Sequence, residues 1–328
     1  MPKISFWVAE GALFSSVSML IDAFSIANLW QRFFTEQKEI ALFQTEILTT
    51  DGTPVEAYGG LPVMPHRAVA EAAHTDCLII SPYLPNVTPM PADLNILARW
   101  IHALRRRKTP IATSCTGTFI LAEMGLLDGK TATTNWQYAR MFQKRYPKVN
   151  LCPQYIMTED DGLLCTGAAT AVYHLALYLI RRFGSHKLAC ATSKALLVDP
   201  NRNSQVPYVL SLPLKNNGDA QVLKAQQFIE ENYAVIDTID VVAGKVGISP
   251  RHFKRRFKAA TGELPLKYLQ QIRIDAAKQK LETTRDTIEE ITCAVGYSDV
   301  SSFCRLFKQY TEISPGAYRD KFFIPVSA

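Results

Sequence analysis

The stretch IDVVAGKVGISPRHFKRRFKAATGELPLKYL, from Ile239 to Leu269, is answered about fifty residues later by IEEITCAVGYSDVSSFCRLFKQYTEISPGAY, from Ile288 to Tyr318. Ile239 aligns with Ile288, Val246-Gly247 with Val295-Gly296, and Ser249 with Ser298. One extra residue then enters the second copy, after which Phe253, Phe257, Thr261, Pro265 and Tyr268 align with Phe303, Phe307, Thr311, Pro315 and Tyr318. Each copy predicts a helix, a tight turn and a second helix. Gly247 or Gly296 supplies the left-handed residue that stops the first helix, and Ser249 or Ser298 is placed to cap the next. Pro250 suits a first helical turn, where a missing N–H is no loss.

Phe253 and Phe257 lie four apart and share a face, as do Phe303 and Phe307. With those faces inward and about 100° per residue, Arg251, Arg255 and Lys258 point away from the core, with Lys254 at the flank. Ser301, Arg305 and Lys308 hold the matching outward positions in the second copy. A basic run such as RHFKRRFK also describes a solvated helix face. Duplication favours a second function for it, because the second helix of a helix-turn-helix lies in the DNA major groove, where Arg donates two bonds to guanine. Between the copies, Pro265 to Leu281 reads as one helix, with Leu266, Leu269, Ile272, Ala276 and Leu281 near one stripe. Its length of roughly 25 Å is compatible with two recognition helices entering major grooves about 34 Å apart on one side of a duplex.

The segments SPRHFKRRFK, TGELPLKYL, VGYSD, SSFCRLFK and SPGAYR resemble the DNA-binding domain of the AraC/XylS family of bacterial transcription regulators, over residues of about 219 to 322. The resemblance implies base contacts from Arg251, Lys254 and Arg255 in the first recognition helix, and from Ser301, Ser302 and Arg305 in the second. Ser302 rests on the resemblance alone; Lys258 and Lys308 complete the outward basic face. Thr292 stands where the family usually has Ala, and Glu312 where it usually has Gly. The resemblance further implies double-stranded DNA as partner, a homodimer and RNA polymerase as a candidate partner; an activator's role is the expectation, with repression left open.

The 328 residues allow two domains, and 48% hydrophobic with 20% charged residues describes folded protein. A net charge of +6 suits a polyanionic partner. Residues 219 to 325 hold 16 Lys and Arg against 14 Asp and Glu, so the positive charge is local, with five of those cations within Arg251 to Lys258. Seven Cys without a CxxC pair favour reduced thiols in the cytoplasm over a disulfide framework or a zinc site. The N-terminal MPKISFWVAEGALF is too weakly basic and too short in its apolar run for a signal peptide. No membrane span is expected, since the Val172 to Ile180 helix is closed by Arg181-Arg182.

In the first two hundred residues, strands are expected at Ile4–Val8, Phe43–Thr49, Cys77–Ser81 and Ile111–Ser114. Helices are expected at Val17–Phe34, Pro91–Arg107 and Thr118–Gly125. That alternation predicts an α/β fold, a flavodoxin-like parallel sheet with helices on both faces, followed by an all-α domain with two helix-turn-helix units. Arg105 to Lys108 reads as a solvated helix C-terminus. The Pro, Asn and Ser content of VDPNRNSQVPYVLSLPLKNNGD places an interdomain linker at 199–218, between domains 1–198 and 219–328.

In PIATSCTGTFILAEMGLLDGK, Pro110 to Lys130, a strand runs into Cys115 and a Gly-containing turn opens a helix, the pattern of a nucleophile elbow. With TATTNW and CLIISPY, it resembles the ThiJ/PfpI superfamily over residues of roughly 3 to 197. A thiol at such a helix N-terminus is expected to have a lowered pKa. The resemblance implies a His partner, yet Asn135 stands at the matching place. It also implies an acid shortly after the first strand, and Gly11 to Ser18 contains none. Asn is no general base at neutral pH, so the expectation is a receptor for a small-molecule effector, an amino acid or amine among the candidates, without catalysis. Cys115, Thr116, Tyr83 and Asn135 are the residues expected to line its pocket, at the carboxyl ends of parallel strands. His174, on an apolar helix, reads as a satisfied core or interface histidine, and Asp160-Asp161 as turn residues. No metal or cofactor is called for. Two rival readings remain open: a thiol-dependent amidase or hydrolase tethered to a DNA-binding domain, and a dimerisation domain with no ligand.

Overall fold

The computed structural model describes residues 1–35, 41–86, 90–91, 94–210 and 218–324. The chain divides into two compact units, Met1–Gln205 and Val206–Ala328.

The first unit is built on a seven-stranded sheet. Its order is Met157–Asp160, Leu163–Thr166, Ile111–Thr113, Cys77–Ile80, Lys3–Trp7, Gln44–Thr49 and Arg67–Ala68. All neighbours are parallel except Met157–Asp160, which runs antiparallel to Leu163–Thr166. The strands are apolar on both faces, as a sheet covered on both sides requires. Cys77 and Ile79 join one core with helices Phe14–Thr35, Val172–Phe183 and His186–Ala195, while Leu78 and Ile80 join the other with helices Leu94–Arg106, Thr118–Glu123 and Ala139–Arg145.

The four strands and three helices expected from the sequence are present, with ends shifted by a few residues; positions 92 and 93 of the expected helix Pro91–Arg107 lie outside the described residues. The antiparallel edge strand was not anticipated. It is joined to its neighbour through Asp161 and Gly162, both at positive φ, so that Asp161 is indeed a turn residue, whereas Asp160 is the last residue of the edge strand. Its carboxylate accepts from Arg105 at 2.6 Å and Lys130 at 2.8 Å, which holds its pKa below the usual value. Arg105 is therefore tied to the sheet edge rather than left in solvent.

The second unit is helical: Ala220–Asn232, Ile239–Lys245, Pro250–Thr261, Pro265–Thr283, Ile288–Ala294, Val300–Thr311 and Pro315–Phe322. Two cores recur in parallel, one around Phe253 and Phe257, the other around Phe303 and Phe307, with Tyr268 and Tyr318 stacked edge-on against Phe257 and Phe307. Gly247 and Gly296 take φ of +72° and +87° at the ends of the first helices. A Cβ on Gly296 would stand 2.4 Å from the Ala234 carbonyl oxygen, so that backbone approach excludes any side chain.

Two expectations need correction here. Ser249 occupies the cap position but its side chain makes no capping bond, and the second recognition helix is capped by Asp299, not Ser298, with the Asp299 carboxylate accepting from Ser302 N–H at 2.7 Å. The inserted residue is itself the cap. The boundary between the units falls within the expected linker 199–218, whose described residues pack onto their own units. Ser204 pairs with Tyr155 in the sheet unit and Gln205 is buried there, while Val206–Tyr208 is a short 3₁₀ turn of the second unit, its Tyr208 edge-on to Phe322 at 5.1 Å. Lys278, buried in that unit, donates to the Val209 carbonyl at 2.9 Å. Residues 211–217 of the expected linker lie outside the described residues.

Candidate functional site

On the recognition helices, Arg251, Lys254, Arg255 and Lys258 of the first and Ser301, Ser302, Arg305 and Lys308 of the second are all exposed. Phe253, Phe257, Phe303 and Phe307 are fully buried on the opposite faces. Arg256 is different: its Nε donates to Asp219 at 2.5 Å and its Nη1 to Gln221, which fixes the leading helix Ala220–Asn232 onto the first recognition helix. Asp219 also caps that leading helix through Gln221 N–H and Val222 N–H. Lys254 lies 3.5 Å from Asp240, a surface pair that competes weakly with a phosphate. In the second helix Arg305 donates to Ser302 Oγ at 3.1 Å, so these two present one joined polar group.

In the sheet unit, the strand Ile111–Thr113 enters the 3₁₀ turn Cys115–Gly117 and then the helix Thr118–Glu123. Cys115 has φ of +53°, a left-handed conformation that costs a non-glycine residue roughly 1–2 kcal/mol. A nucleophile elbow has this strained geometry. The close packing continues at Gly117, where a Cβ would stand 2.9 Å from the Ile80 carbonyl oxygen. The Cys115 carbonyl accepts from Thr134 Oγ1 at 2.9 Å and Thr118 Oγ1 at 3.2 Å, so the elbow is held from both sides.

The four residues expected around this elbow separate into two pairs. Cys115 and Asn135 come together, the Asn135 side chain lying near enough to the thiol to act against the rise in its pKa. Asn135 Oδ1 accepts from Gln137 N–H at 3.0 Å, so the donor end of the amide is not spent on that bond. Thr116 and Tyr83 meet each other instead. The Thr116 hydroxyl donates to the Tyr83 carbonyl and accepts from Tyr83 N–H, while the Tyr83 ring is buried edge-on to Phe119, its hydroxyl toward the Met90 sulfur. Thr116 and Tyr83 thus brace the elbow from below. Sequence reasoning missed Ala169, whose backbone N–H also reaches the thiol, and Tyr138, whose phenol is raised by burial and then by Cys115 and Tyr58 nearby. These residues come from separate loops and leave no shared motif in the sequence.

Burial pushes the Cys115 thiol pKa up, and the hydrogen bonds from Asn135, Thr116 and Ala169 only partly oppose it. The lowered pKa expected from the helix N-terminus does not appear. The short turn Cys115–Gly117 gives little dipole, and desolvation outweighs it. His174 also differs from a fully satisfied histidine. Its Nε2 reaches the Asp199 carbonyl at 3.1 Å, but its buried Nδ1 has no partner. Among the described residues no group of three or more His, Cys, Asp or Glu is placed to hold a metal, and no helix is long and apolar enough to cross a membrane.

Two family models match this chain, the DJ-1/PfpI family over residues 3–182 and a helix-turn-helix domain over residues 242–321. HTH-type transcriptional regulator CdhR of Pseudomonas aeruginosa is 27% identical over 292 residues, covering 88% of this chain and 84% of that protein. HTH-type transcriptional regulator GbdR of the same species is 25% identical over 305 residues, covering 90% and 82%. The crystal structure of Drosophila melanogaster DJ-1beta superposes with a TM-score of 0.51 at 15% identity, over 60% of this chain and 98% of that one, and so supports the fold of the sheet unit. With an elbow cysteine on a parallel sheet and a duplicated helix-turn-helix behind it, this chain belongs to the DJ-1/PfpI family and carries a C-terminal DNA-binding domain of the AraC type.

Proposed function

We propose that the protein is a sequence-specific DNA-binding transcription regulator whose sheet unit is a receptor for a small molecule. The observation that carries this is the pair of recognition helices, each buried through two phenylalanines and each presenting its polar face to solvent. Arg251 and Arg255 read base edges, with Lys258 and Lys308 on phosphate and Ser301, Ser302 and Arg305 contributing from the second helix. The regulator works as a homodimer in the cytoplasm and contacts RNA polymerase as an activator.

The sheet unit is a receptor rather than an enzyme because the group beside the elbow thiol is an amide, which takes no proton at neutral pH. A buried thiol with a raised pKa is a poor nucleophile as well. The effector, for which amino acids and amines are the first candidates, sits over Cys115 and Asn135, within reach of Tyr138 and Tyr58.

Binding titrations at fixed salt test the DNA reading. Arg251→Ala and Arg255→Ala should each cost about 1–3 kcal/mol on a cognate site and much less on random DNA. Equal losses on both would mean that these residues touch only phosphate. Assays for amidase and hydrolase activity, run beside the titration, test the receptor reading. Turnover that disappears in Cys115→Ser would replace it with the enzyme.

A further inference from the structure

The basic partner that the elbow thiol lacks stands beside a different cysteine. Helix His186–Ala195 begins at Ser185, whose side chain accepts from Leu188 N–H at 3.1 Å. His186 and Cys190 are both exposed and sit one helical turn apart, so they share a face. The Cys190 sulfur lies 3.5 Å from His186 Nε2, within reach of a hydrogen bond. Ser193 Oγ donates to the Cys190 carbonyl at 2.9 Å, which braces the turn that carries the thiol. Both members of the pair line a cavity of about 530 Å³, within the usual range for small-ligand sites, bounded by this helix, Val172–Phe183 and the segment 200–203. Leu177 and Ala189 give the cavity an apolar wall. His174 belongs to the lining as well, and its buried Nδ1 has no hydrogen-bond partner, a polar atom that a guest can satisfy. Arg181 adds a cation to the wall, and among the described residues that line the cavity there is no Asp or Glu.

We propose that Cys190 is a thiol-modification site, at which a low-molecular-weight disulfide bearing carboxylates enters this cavity and is captured as a mixed disulfide. His186 Nε2 takes the thiol proton, and the Cys190 thiolate attacks one sulfur of the guest R–S–S–R. The new Cys190–S–S–R bond forms as the guest's own S–S bond breaks. Cys190 is oxidised and the leaving half of the guest is reduced; it departs as R–SH with the proton that His186 held. The guest disulfide is the only oxidant required, and an excess of free thiol reverses the exchange, so the residue follows the thiol–disulfide balance around it. Carboxylates on the guest suit the Arg181 guanidinium. The elbow is unsuited to this chemistry, since Cys115 is buried and its neighbour is the Asn135 amide. The site stands apart from the effector reading of the elbow and does not depend on it.

The experiment incubates the full-length protein with oxidised glutathione, an anionic disulfide, or with cystamine, a cationic one. Peptide mass spectrometry follows the adducts at Cys190 and at Cys293, which is exposed in the helical unit. With oxidised glutathione, Cys190 should react about fivefold faster than Cys293, or more. His186→Gln and Arg181→Gln both alter exposed positions, and Cys293 in the same sample should keep its rate in each variant. His186→Gln should bring Cys190 down to the rate of Cys293. Arg181→Gln should slow the reaction of Cys190 with oxidised glutathione and leave that with cystamine unchanged. Equal modification of Cys190 and Cys293 in the unaltered protein, a full rate retained in His186→Gln, or an effect of Arg181→Gln that is absent or the same for both disulfides would each overturn the inference.

Discussion

Glu312 and Cys115 are two of the five non-glycine residues that hold a left-handed backbone among the described residues. Glu312 ends the second recognition helix at φ of +65°, where its counterpart Gly262 sits at +85°. Glycine pays little for that conformation and glutamate pays on the order of 1 kcal/mol. Glu312→Gly should therefore stabilise the helical unit by about 0.5–1 kcal/mol in denaturant unfolding, with the offset of a floppier unfolded chain already included. A loss of stability would mean that the Glu312 side chain holds something beyond its own backbone. The second residue is Cys115. A pKa raised by burial keeps the thiol protonated through neutral pH, and its thiolate appears only above the ordinary thiol range. Its alkylation rate at neutral pH should fall well below that of exposed Cys293, and should rise with pH later than that of a free thiol. Faster labelling at Cys115 than at Cys293 would restore the reactive-nucleophile view. The elbow itself was legible from SCTGT because a strand, a small turn and a helix leave a local signature. The sign of the pKa shift was not, because burial depends on loops far away in the chain.

Elements built from a repeated pattern were the easiest to read. Phenylalanines four apart, recurring in a second copy, defined both recognition helices and their inner faces. The antiparallel edge was missed because Met157–Asp160 reads MTED, without the apolar run that announced the equally short Cys77–Ile80. The end of the sheet unit, at Gln205, lies inside the expected linker 199–218. Pro, Asn and Ser describe an exposed linker and a fastened strap equally well, and one side chain makes much of the fastening. Gln205 accepts from Ala168 N–H at 2.8 Å and donates to the carbonyls of Thr134, Pro153 and Tyr155 at 2.9–3.0 Å. A Cβ on Gly167 would collide with it. Thr134 and Ala169, beside its partners, are among the residues that hold the Cys115 elbow. Gln205→Ala leaves a buried N–H and buried carbonyls unsatisfied and should lower the stability of the sheet unit by about 2–4 kcal/mol. Calorimetry of the whole chain should show that loss in one transition while the helical unit's transition stays in place. No change in either would mean that the strap is not fastened by this side chain.

At the scale of the whole molecule, composition said little and arrangement said most. The helical segment is barely basic overall, yet its charge is concentrated on one face of one helix. The connecting helix Pro265–Thr283 is unbroken, with Leu269 buried in the first core, Ile274, Ala277 and Leu281 in the second, Leu266 of the expected stripe exposed, and Arg273 bonded to the Tyr233 and Ile236 carbonyls at 2.9 and 2.7 Å. We propose that this helix holds the two recognition helices for simultaneous use, and simultaneous use is the central claim. The direct measurement is hydroxyl-radical footprinting of the full-length protein on a selected high-affinity site, beside a variant with two glycines inserted near Gln271. The account predicts two short protected segments per subunit, centred about 10 base pairs apart on one face of the duplex, and a strong loss of affinity in the insertion variant. One protected segment per subunit, or an insertion that leaves affinity and footprint unchanged, would contradict it.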